Sequence, residues 1–138
     1  TFEVPVNVSK PSSLMFEADS DEDADGTLSF NSVSHINVRD SAVQQLVFTG
    51  AQMILESEVR GLQANITVQV SNYTGSVMSI GQTHGGLHLS DQELDRITTA
   101  SSLQLGSLQT DKVYVDTITH TDTPADVYFV SNNAIEFA

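Results

Sequence analysis

Residues 85–106 read GGLHLSDQELDRITTASSLQLG. Two glycines open the stretch. A leucine pair in strand spacing follows (Leu87, Leu89), then a short acidic run, a second leucine pair (Leu103, Leu105) and Gly106. Successive side chains of a strand point to opposite faces, so each leucine pair buries one face and wets the other. Ser90-Asp91-Gln92-Glu93 has the S-x-x-E form of a capping box. In that motif the Ser90 hydroxyl accepts from the Glu93 backbone N–H, and the Glu93 carboxylate reaches back to Ser90. Asp91 and Glu93 also sit favourably at a helix N-terminus. Leu94 and Ile97 are three apart and face inward together. The stretch predicts one short helical corner over 91–97, set between two short strands.

The period of 2 runs through the rest of the chain. Phe2, Val4, Val6 and Val8 alternate, as do Leu28 and Phe30, Ile36 and Val38, Leu46 and Phe48, and Ile66, Val68 and Val70. Val113 and Val115, Val127 and Phe129, and Ile135 and Phe137 repeat the pattern. Ser, Thr, Asn, Asp and Gly fill the gaps, as turns require. Helical character is otherwise confined to Ser41–Leu46. The apolar segments return after 21 residues (Ile66 to Leu87), 24 (Leu103 to Val127) and 22 (Val113 to Ile135). An interval near 20 is one coil of a β-solenoid. The expected fold is all-β: a parallel β-solenoid over 1–138, with an acidic loop insertion at 18–27. A β-sandwich, whose strands are longer and more evenly spaced, is the alternative.

Gly85, Gly86, Leu87, Leu89, Ser90, Glu93, Leu94, Ile97, Thr98, Leu103, Leu105 and Gly106 together resemble the repeats of large bacterial exoproteins of the filamentous haemagglutinin type. The likeness covers residues 85–138. It implies a right-handed parallel β-helix, an extended secreted or surface-attached fibre, and a structural or adhesive role.

Composition points the same way. Eighteen acidic residues face five basic ones, for a formal charge of −13. A field of that sign repels nucleic-acid phosphates and anionic lipid. No apolar run approaches the roughly 20 residues of a membrane helix. The chain has no cysteine, so a repetitive hydrogen-bonded sheet must replace the disulfides usual in small secreted domains. It opens on Thr1, and a slice of a longer fibrous chain is the expectation.

The strongest chemical motif is Asp21-x-Asp23-x-Asp25-Gly26. Alternating carboxylates converge on one hard cation, and the Thr27 carbonyl offers a further ligand, with Asp19 or Glu22 helping. Ser32 stands where an EF-hand has its glutamate, and strand residues follow the loop, so the candidate is a β-loop calcium site or else a solvated acidic turn. Three sequons begin at Asn7, Asn65 and Asn72 and carry N-glycans if the source is eukaryotic. His35, His84, His88 and His120 read as surface histidines, because Gly85-Gly86 breaks the helix that would align His84 with His88. Tyr73, Tyr114 and Tyr128 are candidates for a sugar-binding face. Arg39-Asp40 and Asp95-Arg96 read as exposed pairs or coil-edge contacts. The chain lacks G-x-S-x-G, H-E-x-x-H and a phosphate loop. The expected function is non-catalytic: a structural or adhesive segment of an extracellular or cell-surface fibre, partnered by neighbouring segments or subunits. A calcium-stabilised module binding glycans or a host protein is the first alternative, and a polysaccharide lyase-like fragment the second.

Overall fold

The computed structural model describes residues 13–19, 21, 23–33, 36–38, 43–119 and 126–138, with the backbone of 6–8. Glu22, His35, Arg39, Asp40 and His120, the Asn7 side chain, and the Phe2–Val4 alternation lie outside the described residues. In chain order the strands are β1 (Val6–Val8), β2 (Ser13–Glu17), β3 (Thr27–Phe30), β4 (Ile36–Val38), β5 (Gln45–Gly50), β6 (Gln52–Leu55), β7 (Val59–Arg60), β8 (Asn65–Val70), β9 (Val77–Gly81) and β10 (Leu87–Leu89). The helix α1 (Asp91–Leu94) precedes β11 (Ile97–Thr98), β12 (Ser102–Gly106), β13 (Lys112–Asp116), β14 (Asp126–Val130) and β15 (Ala134–Phe137). The molecule is mostly β. No helix among the described residues is long and apolar enough to cross a membrane.

Every described pairing is parallel. A sandwich is built from antiparallel pairs, so that alternative does not describe these sheets. The sheets run β1-β4-β7-β11, β10-β9-β13-β15, β14-β12-β8-β5-β2 and β3-β6. Register makes apolar columns. In the five-stranded sheet Leu14, Leu46, Ile66, Leu103 and Val127 stand in one row, and Phe16, Phe48, Val68, Leu105 and Phe129 in another. Met78, Val113 and Ile135 form a third, with Leu87 beside Met78. The inner faces of the sheets meet in one apolar core.

The predicted steps from Leu103 to Val127 and from Val113 to Ile135 are true register pairs. The step from Ile66 to Leu87 is not: Ile66 lies between Leu46 and Leu103, whereas Leu87 pairs with Met78. The physical reason is an extra strand. β10 returns alongside β9 through residues 82–86 only, where parallel neighbours usually need a crossover of a dozen residues or more. Positive φ at Gly81, Gly85 and Gly86 (87°, 95° and 67°) makes that return possible. A second expectation also fails. Leu46, read as the end of a helical segment, lies in β5 with its side chain fully buried.

The helical corner forms as expected but is shorter than 91–97, because Ile97 already belongs to β11. Its capping box is complete: Glu93 N–H donates to Ser90 Oγ (3.3 Å), and Ser90 N–H donates to Glu93 Oε2 (2.9 Å). The other oxygen, Oε1, accepts from Leu55 N–H at 2.9 Å, while Arg96 Nη1 donates to Leu55 C=O at 2.5 Å. Two side chains thus satisfy the backbone of the last residue of β6. Glu93→Ala keeps the Ser90 cap but removes the carboxylate half of the box, and it orphans the Ser90 and Leu55 N–H groups. It is expected to cost about 2–3 kcal/mol in chemical denaturation, from two lost bonds to a charged acceptor. Glu93→Gln should recover part of that loss.

Candidate functional site

The acidic loop joins β2 to β3. Its hub is Asp19, buried at 8% exposure with φ 75°. Asp19 Oδ1 accepts from Asp23 N–H (2.9 Å), and Oδ2 accepts from Ala24 N–H (3.2 Å) and from Ser71 Oγ (2.5 Å). Ser71 follows β8, so the loop is tied to a distant corner of the fold. Asp23 Oδ1 accepts from Asp25 N–H (3.0 Å), and Ala24 also has positive φ. A Cβ at Gly26 would lie 2.5 Å from Asp19 N, so only glycine fits. Gly26 C=O in turn accepts from Ala51 and Gln52 N–H at 3.0 and 3.1 Å.

One carboxylate oxygen each from Asp19, Asp21 and Asp23 falls within 4.8 Å of the others. Calcium–oxygen distances of about 2.3–2.6 Å span that gap. Asp21 and Asp23 belong to the set read from the sequence. Asp25 is not in the convergent group and contributes its N–H to the turn. Thr27, whose carbonyl is the further candidate ligand, begins β3. The sequence reading gave Asp19 only a helping part, because its role comes from Ser71, which no local pattern reveals.

Charge is distributed unevenly here. The Ser71 hydroxyl, with the Asp23 and Ala24 amides, outweighs burial and holds the Asp19 carboxyl below its ordinary value of 3.8. Asp23 moves the other way. The Asp25 amide lowers it, but the Asp19 carboxyl, burial and the Asp21 charge together prevail and raise it. The signs follow from linkage. Asp19 stabilises the fold above its unfolded pKa, and that contribution disappears as pH falls through its lowered folded value. Asp23 destabilises the fold at neutral pH, and protonation through its raised value relieves this. Asp19→Asn should therefore melt several degrees below wild type at pH 7, with the gap closing in acid. Metal-free Asp23→Asn should melt no lower than wild type at pH 7. Thermal melts from pH 7 to pH 2 test both.

The remaining candidates are dispersed. Asn65 is exposed on β8, and its Oδ1 accepts from Ser101 and Ser102 hydroxyls at 2.6 and 2.8 Å. Asn72 is exposed at the corner after β8 and lines a polar groove with Thr74, Gln109 and Asn132. Tyr73 packs partly buried against the core, and burial followed by the Asp19 charge pushes its phenol up. Tyr114 stacks on His84 (5.0 Å, 19°), and His84 Nε2 lies 3.0 Å from Asp116 Oδ2. The Thr117 hydroxyl, then His84, lowers Asp116. His88 Nε2 instead meets Gly81 C=O at 2.6 Å, so the two histidines have separate partners. Tyr128 is 54% exposed on the outer face of β14. Arg60 pairs with Glu58 at 2.5 Å on the surface, a kind of contact that contributes little. A groove beside that pair is lined by Asn37, Glu56 and Ser57, and the buried Ser57 Oγ has no hydrogen-bond partner among the described residues. No sequence pattern marked it.

Compared with family models, curated proteins and solved structures, the chain matches none.

Proposed function

We propose that this chain is a β-solenoid segment of an extracellular or cell-surface fibre, with a structural or adhesive and non-catalytic role. The observation that carries the reading is the parallel, in-register pairing of successive segments, with apolar residues in inward columns. A stack of that kind needs no disulfide, since backbone ladders and columns add with each coil. The absence of cysteine and the charge of −13 suit a stiff, solvated rod. The likeness of residues 85–138 to haemagglutinin-type repeats supports the same reading. Immunogold labelling of the source cells, with intact mass on native material, tests it. Labelled surface fibres are expected. Label confined to the cell interior would sink the proposal. Added mass at Asn7, Asn65 or Asn72 would mark a eukaryotic glycoprotein, and bare peptide mass a bacterial exoprotein.

The convergence of Asp19, Asp21 and Asp23 favours a second reading, in which calcium staples the acidic loop of an adhesive module that binds glycans or a host protein. The cation would relieve the repulsion that raises Asp23. The melting midpoint is expected to rise by several degrees in calcium, and the rise to vanish with EGTA or in Asp23→Ala. An unchanged midpoint would leave a solvated turn.

A further inference from the structure

Successive corners on one side of the sheets grow shorter. Residues 71–76 join β8 to β9, residues 107–111 join β12 to β13, and residues 131–133 join β14 to β15. The corners are tied to one another. Asp111 N–H donates to Ser76 C=O (3.0 Å) and Ser76 Oγ to Gln109 C=O (3.2 Å). Asn132 N–H donates to Thr110 C=O (2.7 Å) and Asn133 N–H to Asp111 C=O (3.1 Å). Loops of six, five and three residues leave a step. In the step lies a groove of about 440 Å³, lined by Asn72, Thr74, Gln109, Asp111 and Asn132, with Tyr73 in its wall. That volume falls within the roughly 300–1,000 Å³ of small-molecule sites.

The polar groups of the groove have no work inside the fold. Asn72, Gln109 and Asn132 are exposed and Asp111 is half-buried, and none of the four side chains bonds to another described residue. Asn65, Gln69 and Gln104, by contrast, are tied to Ser101 and Ser102, to Thr49 and to Gly106 C=O. Each free amide offers two donors and a carbonyl acceptor, whereas an ionised Asp111 only accepts. That set complements a sugar ring, whose neighbouring hydroxyls donate as a pair to a carboxylate and bond amides in both directions. Asp111 is the one charged side chain among the described lining residues, which include no Lys or Arg. A phosphate, sulfate or uronate would meet only a negative field. The mostly polar wall gives an apolar ligand little to bury against.

We propose that this corner groove binds a neutral glycan, with Asp111 accepting from vicinal hydroxyls and Asn72, Gln109 and Asn132 bonding the hydroxyls beside them. The inference rests on the adhesive form of the reading above and gives it a face of the molecule. The bonds between corners fix the groove before a ligand arrives, so little backbone ordering opposes binding.

The test is an array of neutral, sialylated and sulfated glycans, probed with the chain made in bacteria so that Asn72 stays bare. The best-retained neutral oligosaccharide is then titrated into isotopically labelled protein in EDTA. Amide shifts gathered at residues 72–75, 109–111 and 131–133 are expected. The double variant Asp111→Asn, Gln109→Ala should bind ~10-fold or more weakly. Its Tm should stay within about 3 °C of wild type, because the backbone bonds between corners remain. Shifts gathered elsewhere, as around Tyr128, overturn the groove but leave an adhesive chain. Retention of sulfated or sialylated glycans alone, or full affinity in the double variant, overturns it as well. Calcium that shifts these amides where sugar does not makes the groove a cation site and overturns the proposal. An array with no glycan retained also overturns it, while the fibre reading is decided separately by where the immunogold label falls.

Discussion

Gly81→Ala is expected to lower the unfolding free energy by about 2–5 kcal/mol, with a fall in Tm on the order of 10 °C. Gly81 ends β9 with φ 87°, where an L side chain costs about 1–2 kcal/mol. An added Cβ would also come within 1.8 Å of Asp116 C=O. That carbonyl cannot simply withdraw, because it accepts from Gln82 N–H at 3.0 Å. Gly86 has the same problem at the other end of the return loop, where its Cβ would meet Val77 C=O at 1.9 Å. Gly85→Ala is the comparison. Its φ is 95°, but nothing lies within 4 Å of the added atom, so only the backbone penalty applies. Equal losses at positions 81 and 85 would mean that the β9–β10 return is not built as described.

Phe48→Ala is expected to cost about 3–5 kcal/mol from the lost burial and the cavity left behind. Phe48 is 1% exposed, stacks on Phe16 (5.3 Å, 8°) and meets Phe30 edge to face (5.7 Å, 87°). Three strands from two sheets therefore share one aromatic cluster, and such pairs add about 0.5–1.5 kcal/mol each beyond area. Leu108→Ala, at a corner where the side chain is 75% exposed, should change stability by about 0.5 kcal/mol or less. Urea titrations of the two variants side by side give the contrast directly.

The strands were legible in the sequence because alternation is a property of side chains along one segment. Leu87 with Leu89, Leu103 with Leu105 and Val113 with Val115 all lie in strands with their side chains buried. The capping box was legible for the same reason, since Ser90 and Glu93 are three residues apart. Stacking distance was legible only where nothing is inserted. Leu103 to Val127 follows the simple step, but Ile66 to Leu103 carries β9, β10 and α1 in between. The bonds from Glu93 and Arg96 to Leu55 and from Asp19 to Ser71 join segments far apart in the chain, and no spacing rule encodes them. Leu46 shows the converse: a helix-like local pattern gave way to a place in a column between Leu14 and Ile66.

The fold is defined by which segments lie side by side. Nuclear Overhauser contacts in isotopically labelled protein read this directly, since parallel and antiparallel ladders bring different protons together. The predicted result places Ile66 between Leu46 and Leu103, joins Leu103 to Val127, and pairs Leu87 with Met78, all in the parallel pattern. Contacts between Ile66 and Leu87 as stacked neighbours, or an antiparallel pattern between β8 and β12, would contradict it.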